Sequence, residues 1–390
     1  MGATIFEAPP HDPSKSQIEN VLELTPVTDL GPDVFTNTRP LWHPPGARGI
    51  YGGAAIAQCL SAAQKTVPPD FYPHSMHCYF VLSGDSQLPV LYHVERVRDG
   101  KSFATRTVQA RQQGRPIFTT TLSFDREGSW GKKEIKHTRK KPDVPLPEQP
   151  DGLGRGRGPF ESRRVGITNR DSPHAADRSL QLYNKARGTI SAEGGRQAHL
   201  TALAYMSDSY FIGTVSRVHN IRRFSSPGAI ERAAAALKKE VGVEEELAKR
   251  YLTDLAEQEE QELKLSKQTS DDPNMEIGMM VSLDHTIYFH DRRAFRADEW
   301  IFSEMRTPWA GAGRGLVLQQ MWAQDGTLIA TCVQEVTKKI HNLFAIFLFL
   351  SSLSLQTSKH PCKVLDQTAD HSMQGVVRLK QDKPPTSSKL

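Results

Sequence analysis

Gly52-Gly53-Ala54-Ala55-Ile56-Ala57-Gln58-Cys59-Leu60-Ser61-Ala62-Ala63-Gln64-Lys65-Thr66 reads as a single buried helix. Two glycines open it, small apolar residues fill it, and Pro68-Pro69 closes it. Residues 74–82, 90–98, 102–112 and 117–124 follow as strand-like runs, separated by the turn signals Gly84-Asp85, Asp99-Gly100 and Gln113-Gly114. One helix followed by consecutive antiparallel strands predicts an α+β unit.

The unit recurs. Residues 197–211 predict a second small-residue helix, and 281–290, 299–306, 314–323 and 327–335 predict strands in the same order. Tyr79-Phe80 parallels Tyr288-Phe289. The expected organisation is a first unit over 17–128, a basic Pro/Gly-rich linker over 129–185 and a second unit over 186–390. Within the second unit, Ser226-Pro227 reads as a helix start. Residues 229–268 then read as charged helix with Leu247, Tyr251 and Leu255 on one stripe, so a solvated helical insert is expected over 226–268.

Composition narrows the function. Of 390 residues, 38 % are hydrophobic and 24 % charged, which suits a folded core and excludes a disordered chain. The net charge of +5 comes from one place: residues 132–164 hold ten Lys or Arg against five Asp or Glu. A solvated linker explains that excess, and no nucleic-acid partner is expected. The mean hydropathy is −0.49, and the longest apolar run, 343–350, is too short to span a bilayer. The four cysteines lack a C-x-x-C pair, so no metal site or disulfide scaffold is expected. No secretory pattern opens the sequence, and Ser388-Lys389-Leu390 reads as the peroxisomal address, with the import receptor as expected partner and the peroxisomal matrix as location.

Several catalytic motifs fail. No G-x-S-x-G elbow occurs, and His74 and His77 would face opposite sides of a strand. Gly311-Ala312-Gly313-Arg314-Gly315 has no helix behind it and is no dinucleotide fingerprint, although Arg314 and the Gly315 amide could meet a phosphate. In Leu283-Asp284-His285-Thr286 a carboxylate interrupts an apolar strand pattern, where it serves as a hydrogen-bonding partner or as a base.

Taken together, the motifs resemble one family. Tyr51-Gly52-Gly53, His74-Ser75-Met76-His77-Cys78-Tyr79-Phe80, Arg98-Asp99-Gly100-Lys101-Ser102-Phe103 and Pro159-Phe160-Glu161-Ser162-Arg163-Arg164 are similar to the type II acyl-CoA thioesterases. So are Leu283-Asp284-His285-Thr286, Glu304-Met305-Arg306-Thr307-Pro308 and Thr331-Cys332-Val333-Gln334-Glu335. The resemblance implies a double hotdog fold and hydrolysis of acyl-CoA to fatty acid and CoA, without a cofactor, in peroxisomal fatty-acid metabolism. It also implies an Asp, a Ser or Thr and a Gln around one water. Carried over, these fall on Asp284, Thr307 and Gln334, with one working site per chain because Ser75 stands at the first unit's equivalent of Asp284. Gly52 and Gly53 are expected to stabilise the oxyanion, and Arg98, Lys101, Arg314 and the Arg163-Arg164 pair are candidates to meet CoA phosphates; a homo-oligomer is expected. The alternatives are a hotdog enoyl-CoA hydratase, which Leu82–Pro89 half-resembles without the Asn-Pro step or its His, and a non-catalytic acyl-CoA-binding protein.

One segment departs from the family. Its members run from Val-Gln-Glu straight into Gly-Val-Val-Arg-Leu, whereas here 39 residues, 336–374, separate Glu335 from Gly375. Those residues lack periodicity and read as a retained intron. The expectation is that they cut the last strand after Gln334, lack stable structure and lower activity.

Overall fold

Small side chains let two helices approach closely at the centre of the molecule, and the sheet is built around that contact. The computed structural model describes residues 4–41, 49–129, 135–147, 158–221, 244–264, 275–293 and 295–342, with isolated positions between them. Its first copy contains α1 (Gln17–Leu22), β1 (Leu24–Pro26), β2 (Val34–Asn37) and the central helix α2 (Gly52–Gln64). Strands β3 (Phe71–Phe80), β4 (Leu91–Asp99), β5 (Phe103–Gln112) and β6 (Arg115–Arg126) complete it. The second contains β7 (Phe160–Thr168), β8 (Ser179–Ala186), the central helix α3 (Gly195–Ser207) and α4 (Phe211–Val218). A helix at Glu245–Lys264 follows, then β9 (Met275–Ser282), β10 (Asp284–Phe289), β11 (Ile301–Gly311), β12 (Arg314–Trp322) and β13 (Leu328–Asn342).

The strands form one 13-stranded sheet in the order β1-β2-β4-β5-β6-β3-β10-β13-β12-β11-β8-β7, with β9 added beside β13. Outward from the β3–β10 contact, the two halves match element for element. This is the double hotdog: two helix-and-sheet units joined edge to edge, α2 packed against α3. The joint is antiparallel, with Met76 opposite Ile287 and Cys78 opposite His285.

Three expectations need correction. The stretch read as linker to residue 185 contains β7 and β8, which pair with each other and, through β8, with β11, as β1 and β2 join β4. The charged alternation Glu161-Ser162-Arg163-Arg164 and the irregularity before Gly166 concealed the strand. The run expected as one strand over 281–290 is two, broken at Leu283. Finally, β13 does not stop after Gln334. It continues through Asn342 against β9, with Val336 opposite Ser282 and fully buried. The segment Val-Thr-Lys-Lys-Ile has the β-branched residues and alternation a ladder accepts, whatever its origin. Of the helical insert, Ala248 and Leu252 are buried. Ser226 and Pro227, the side chains of Leu247, Tyr251 and Leu255, residues 343–374 and Ser388-Lys389-Leu390 lie outside the described residues.

Candidate active site

A helix start leaves backbone N–H groups without intrahelical partners and carries partial positive charge. Tyr51 caps α2 with extended backbone and no side-chain hydrogen bond to the helix, so those amides are available to another group. The group is Asp208, the residue that ends α3. Its carboxyl accepts from the Gly53 amide. The glycine pair makes the approach possible. A Cβ on Gly52 would lie 2.6 Å from Asp208 Oδ2 and 2.9 Å from the Phe80 ring, and one on Gly53 would overlap the Tyr205 carbonyl.

Asp208 is joined by Gln334, which lies fully buried on β13. Gln334 Nε2 donates to Ser282 Oγ and also to the Asp208 carboxyl. Its Oε1 faces His285 Nδ1 at 2.7 Å, and His285 Nε2 meets Ser207 Oγ at 3.0 Å. Burial raises the Asp208 carboxyl to about 7, against the lowering effect of the Gly53 amide and Gln334. Asp208 nonetheless keeps part of its surface accessible. Burial also pushes His285 down to about 4, so it is neutral at physiological pH. A carboxyl near 7, an amide and a hydroxyl on one point can hold a water and take its proton.

Of the three residues carried over from the family, only Gln334 belongs to this cluster. Asp284 follows strand alternation to the sheet face opposite His285. There its Oδ1 accepts from the Glu335 amide at 2.7 Å, filling the ladder where β9 gives way to β10 at Leu283. Burial raises this carboxyl too, with the Glu335 charge adding to the effect and the Glu335 amide opposing it. Thr307 is buried on β11 and donates to the Trp309 carbonyl at 3.2 Å. Strand β11 is two strands from β13 and three from β10, about 10 and 14 Å at ordinary strand spacing.

The residues proposed for CoA and the oxyanion divide in the same way. Gly52 and Gly53 stand at the cluster, but the Gly53 amide is committed to Asp208. Arg98 and Lys101 sit at the other end of α2: Arg106 bonds both the Arg98 carbonyl and the Thr66 carbonyl that ends the helix. Thirteen helical residues, about 20 Å, lie between. Arg314 is paired with Glu335 at 3.0 Å and lies over the Trp309 ring. Gly315 is no phosphate loop; a Cβ there would meet Val215 at 2.7 Å, so it allows α4 to rest on β12.

Asp208 and Ser282 escape a reading by motif, yet Asp208 carries a signal. It ends a helix of buried residues, where a carboxylate opposes the macrodipole and a cation is favoured. An acid in that position needs another partner, and the start of α2 is that partner.

Comparison with known proteins identifies the family. Residues 39–125 match the family model described as the acyl-CoA thioesterase N-terminal domain, and residues 141–337 match the acyl-CoA thioesterase C-terminal domain. The chain is 32 % identical over 351 residues to acyl-coenzyme A thioesterase 8 of Homo sapiens, covering 84 % of this chain and 90 % of that protein. It is 24 % identical over 331 residues to peroxisomal acyl-coenzyme A thioester hydrolase 1 of Saccharomyces cerevisiae, covering 82 % and 93 %. The crystal structure of an acyl-CoA thioesterase II from Mycobacterium marinum aligns with a TM-score of 0.56 at 26 % identity, over 84 % of this chain and 98 % of that one.

Proposed function

Because the chain belongs to the type II acyl-CoA thioesterases and is a thioester hydrolase, we propose that Asp208, Gln334 and Ser282 bind and activate its hydrolytic water. The observation that carries this reading is Gln334, one buried amide that donates both to a hydroxyl and to a carboxyl near 7. Ser282 accepts from Gln334 and keeps its own proton for a second partner. Asp208, ionised, accepts a proton from the water as its oxygen attacks the thioester carbonyl. The tetrahedral intermediate places negative charge on the former carbonyl oxygen, and the positive end of α2, with the Gly52 amide, stabilises it. Collapse breaks the C–S bond. The Asp208 proton passes to the departing CoA sulfur, leaving the acid product and restoring the carboxylate.

The test is thiol release from acyl-CoA by paired variants. Asp208→Asn is expected to lower kcat by about 10³-fold or more, and Asp284→Asn to stay within about fivefold of the parent. The opposite ranking returns the base to Asp284. We also propose a peroxisomal role, which the name of the yeast relative supports. A fluorescent fusion ending in Ser388-Lys389-Leu390 is expected in peroxisomes, and the same fusion without Leu390 in the cytosol.

A further inference from the structure

The buried amide at the centre of the site can point two ways, and only one of them serves the chemistry. An ionised Asp208 has no proton to give, so the Gln334 nitrogen must face it. Turned by half a rotation, the amide would present Oε1 to the carboxylate and replace attraction with repulsion. With the nitrogen toward Asp208, Oε1 faces the interior and needs a donor. His285 Nδ1 stands there at 2.7 Å. His285 is wholly buried and neutral, so it carries one proton, and which nitrogen holds it decides whether Oε1 is satisfied. On the far side, His285 Nε2 lies 3.0 Å from Ser207 Oγ. A Ser207 proton directed to Nε2, in competition with the Ala204 carbonyl at 2.9 Å, leaves the imidazole proton on Nδ1. The Phe211 ring meets the imidazole edge-on with centroids 5.4 Å apart and fixes its plane.

We infer that His285, oriented by Ser207, is a positioning residue that sets the Gln334 amide with its nitrogen toward Asp208. This rests on the proposed role of Asp208 and Gln334 and extends it one step inward: Ser207 to His285, His285 to Gln334, Gln334 to the base. Cys78 and Met76, opposite His285 and Ile287 on β3, are apolar fillers in the same row. The titratable groups that face Asp208 are Tyr51, Tyr205, Cys78 and Cys332, all neutral at pH 7 because burial raises each of them. None of them competes with Gln334 for control of the carboxyl.

The experiment measures kcat, KM and the acid limb of kcat/KM for His285→Leu, His285→Asn, Ser207→Ala and Asp208→Asn in the full chain, and for His285→Leu combined with Gln334→Ala. His285→Leu is expected to lose about 30-fold in kcat with KM within about twofold. Its acid limb is expected to move to higher pH, because an amide free to turn no longer holds the carboxylate form of Asp208. Asn at 285 can place an N–H near the Nδ1 position and is expected to restore most of kcat. In the Gln334→Ala background, His285→Leu is expected to cost nothing further. A His285→Leu enzyme with parental kcat and acid limb, or losses that multiply in the double variant, overturns the inference while leaving Asp208 as base. Should His285→Leu fail to fold, His285→Asn and Ser207→Ala decide. Expected are near-parental kcat for the first and a drop of about threefold with a raised acid limb for the second. An inactive, folded His285→Asn overturns it. A fully active Asp208→Asn removes the underlying site instead, and the positioning role with it.

Discussion

At the scale of single residues, two aspartates with raised carboxyls stand in different surroundings. Asp208 is held at a helix start with Gln334 beside it; Asp284 fills a gap between strands. Because Asp208 must be ionised to accept a proton, kcat/KM is expected to rise with pH through about 7 with a one-proton limb, measured by thiol release between pH 5 and 9. The same shift has a stability consequence. A carboxyl whose folded pKa lies above its unfolded value favours the folded state while protonated, and that advantage is lost as pH rises from the unfolded value of 3.8 toward 7. Asp208→Asn is therefore expected to melt above the parent at pH 8, by on the order of a few degrees, and level with it near pH 4. Asp284→Ala is expected to lower stability by about 1 kcal/mol at pH 7, since the part-buried Glu335 amide loses its acceptor, with kcat little changed. Of the residues singled out by motif, Gln334, Gly52 and Gly53 lie at the Asp208 cluster, whereas Asp284 lies apart from it, because adjacent strand residues share a motif but not a face. Only the register decides which one looks inward.

Between elements, the two helix starts hold their visiting carboxyls in different ways. At the start of α2 the visiting carboxyl is Asp208, with burial dominant and its pKa raised. At the start of α3 it is Glu19 from α1, which accepts from the Ser191 amide at 3.0 Å, Ser191 Oγ at 2.5 Å, and the Ser16 amide at 2.8 Å. Burial raises Glu19 as well, but the Ser16 and Ser191 hydrogen bonds outweigh it and the net shift is downward. A lowered carboxyl stays charged and is a cap; it contributes stability above its unfolded pKa of 4.5 and loses it as pH falls through the folded value. Glu19→Ala is expected to cost about 1–2 kcal/mol at pH 7, less at pH 4, and to leave kcat unchanged, as chemical denaturation and thiol release would show. Arg106, wholly buried and bonded to Thr66, Arg98 and Asp99, locks the far end of α2. The repeat of helix and strands was readable from periodicity. The strands β7 and β8 were not, because Pro, Gly and charge in their approach are the marks of a linker, and only their pairing with each other, and that of β8 with β11, reveals them.

For the molecule as a whole, the mirrored sheet isolates what is foreign to it. Each half has six strands in matching order, and β9 alone lies off that path, paired with the tail of β13. That tail, Val336–Asn342, is the beginning of the 39 residues that separate Glu335 from Gly375. The match to the thioesterase C-terminal domain runs to residue 337, and Gly375-Val376-Val377-Arg378-Leu379 then restates the family's continuation. Every Val codon begins with GU, Gln374 can be encoded CAG, and Ala369-Asp370 can be GCU-GAC, which contains a branch-site-like CUGAC; 39 codons preserve the frame. We propose that these residues are a retained intron. The observed ladder alters the consequence for activity. Val336-Thr337-Lys338-Lys339-Ile340 occupies the place beside β9 that Gly375-Val376-Val377-Arg378-Leu379 has the length and β-branched content to fill. Gln334 keeps its contacts to Ser282 and His285 with the longer segment in place. The long form is therefore expected to hydrolyse acyl-CoA, with kcat within about tenfold of a form joining Glu335 to Gly375, and the short form to melt higher because it carries no apolar run at 343–350 to shelter. Transcripts sequenced across the junction are expected to include the short form. If every transcript encodes the 39 residues, and removing them lowers activity or melting temperature, the segment is a genuine part of the fold and β13 owes its last seven residues to it.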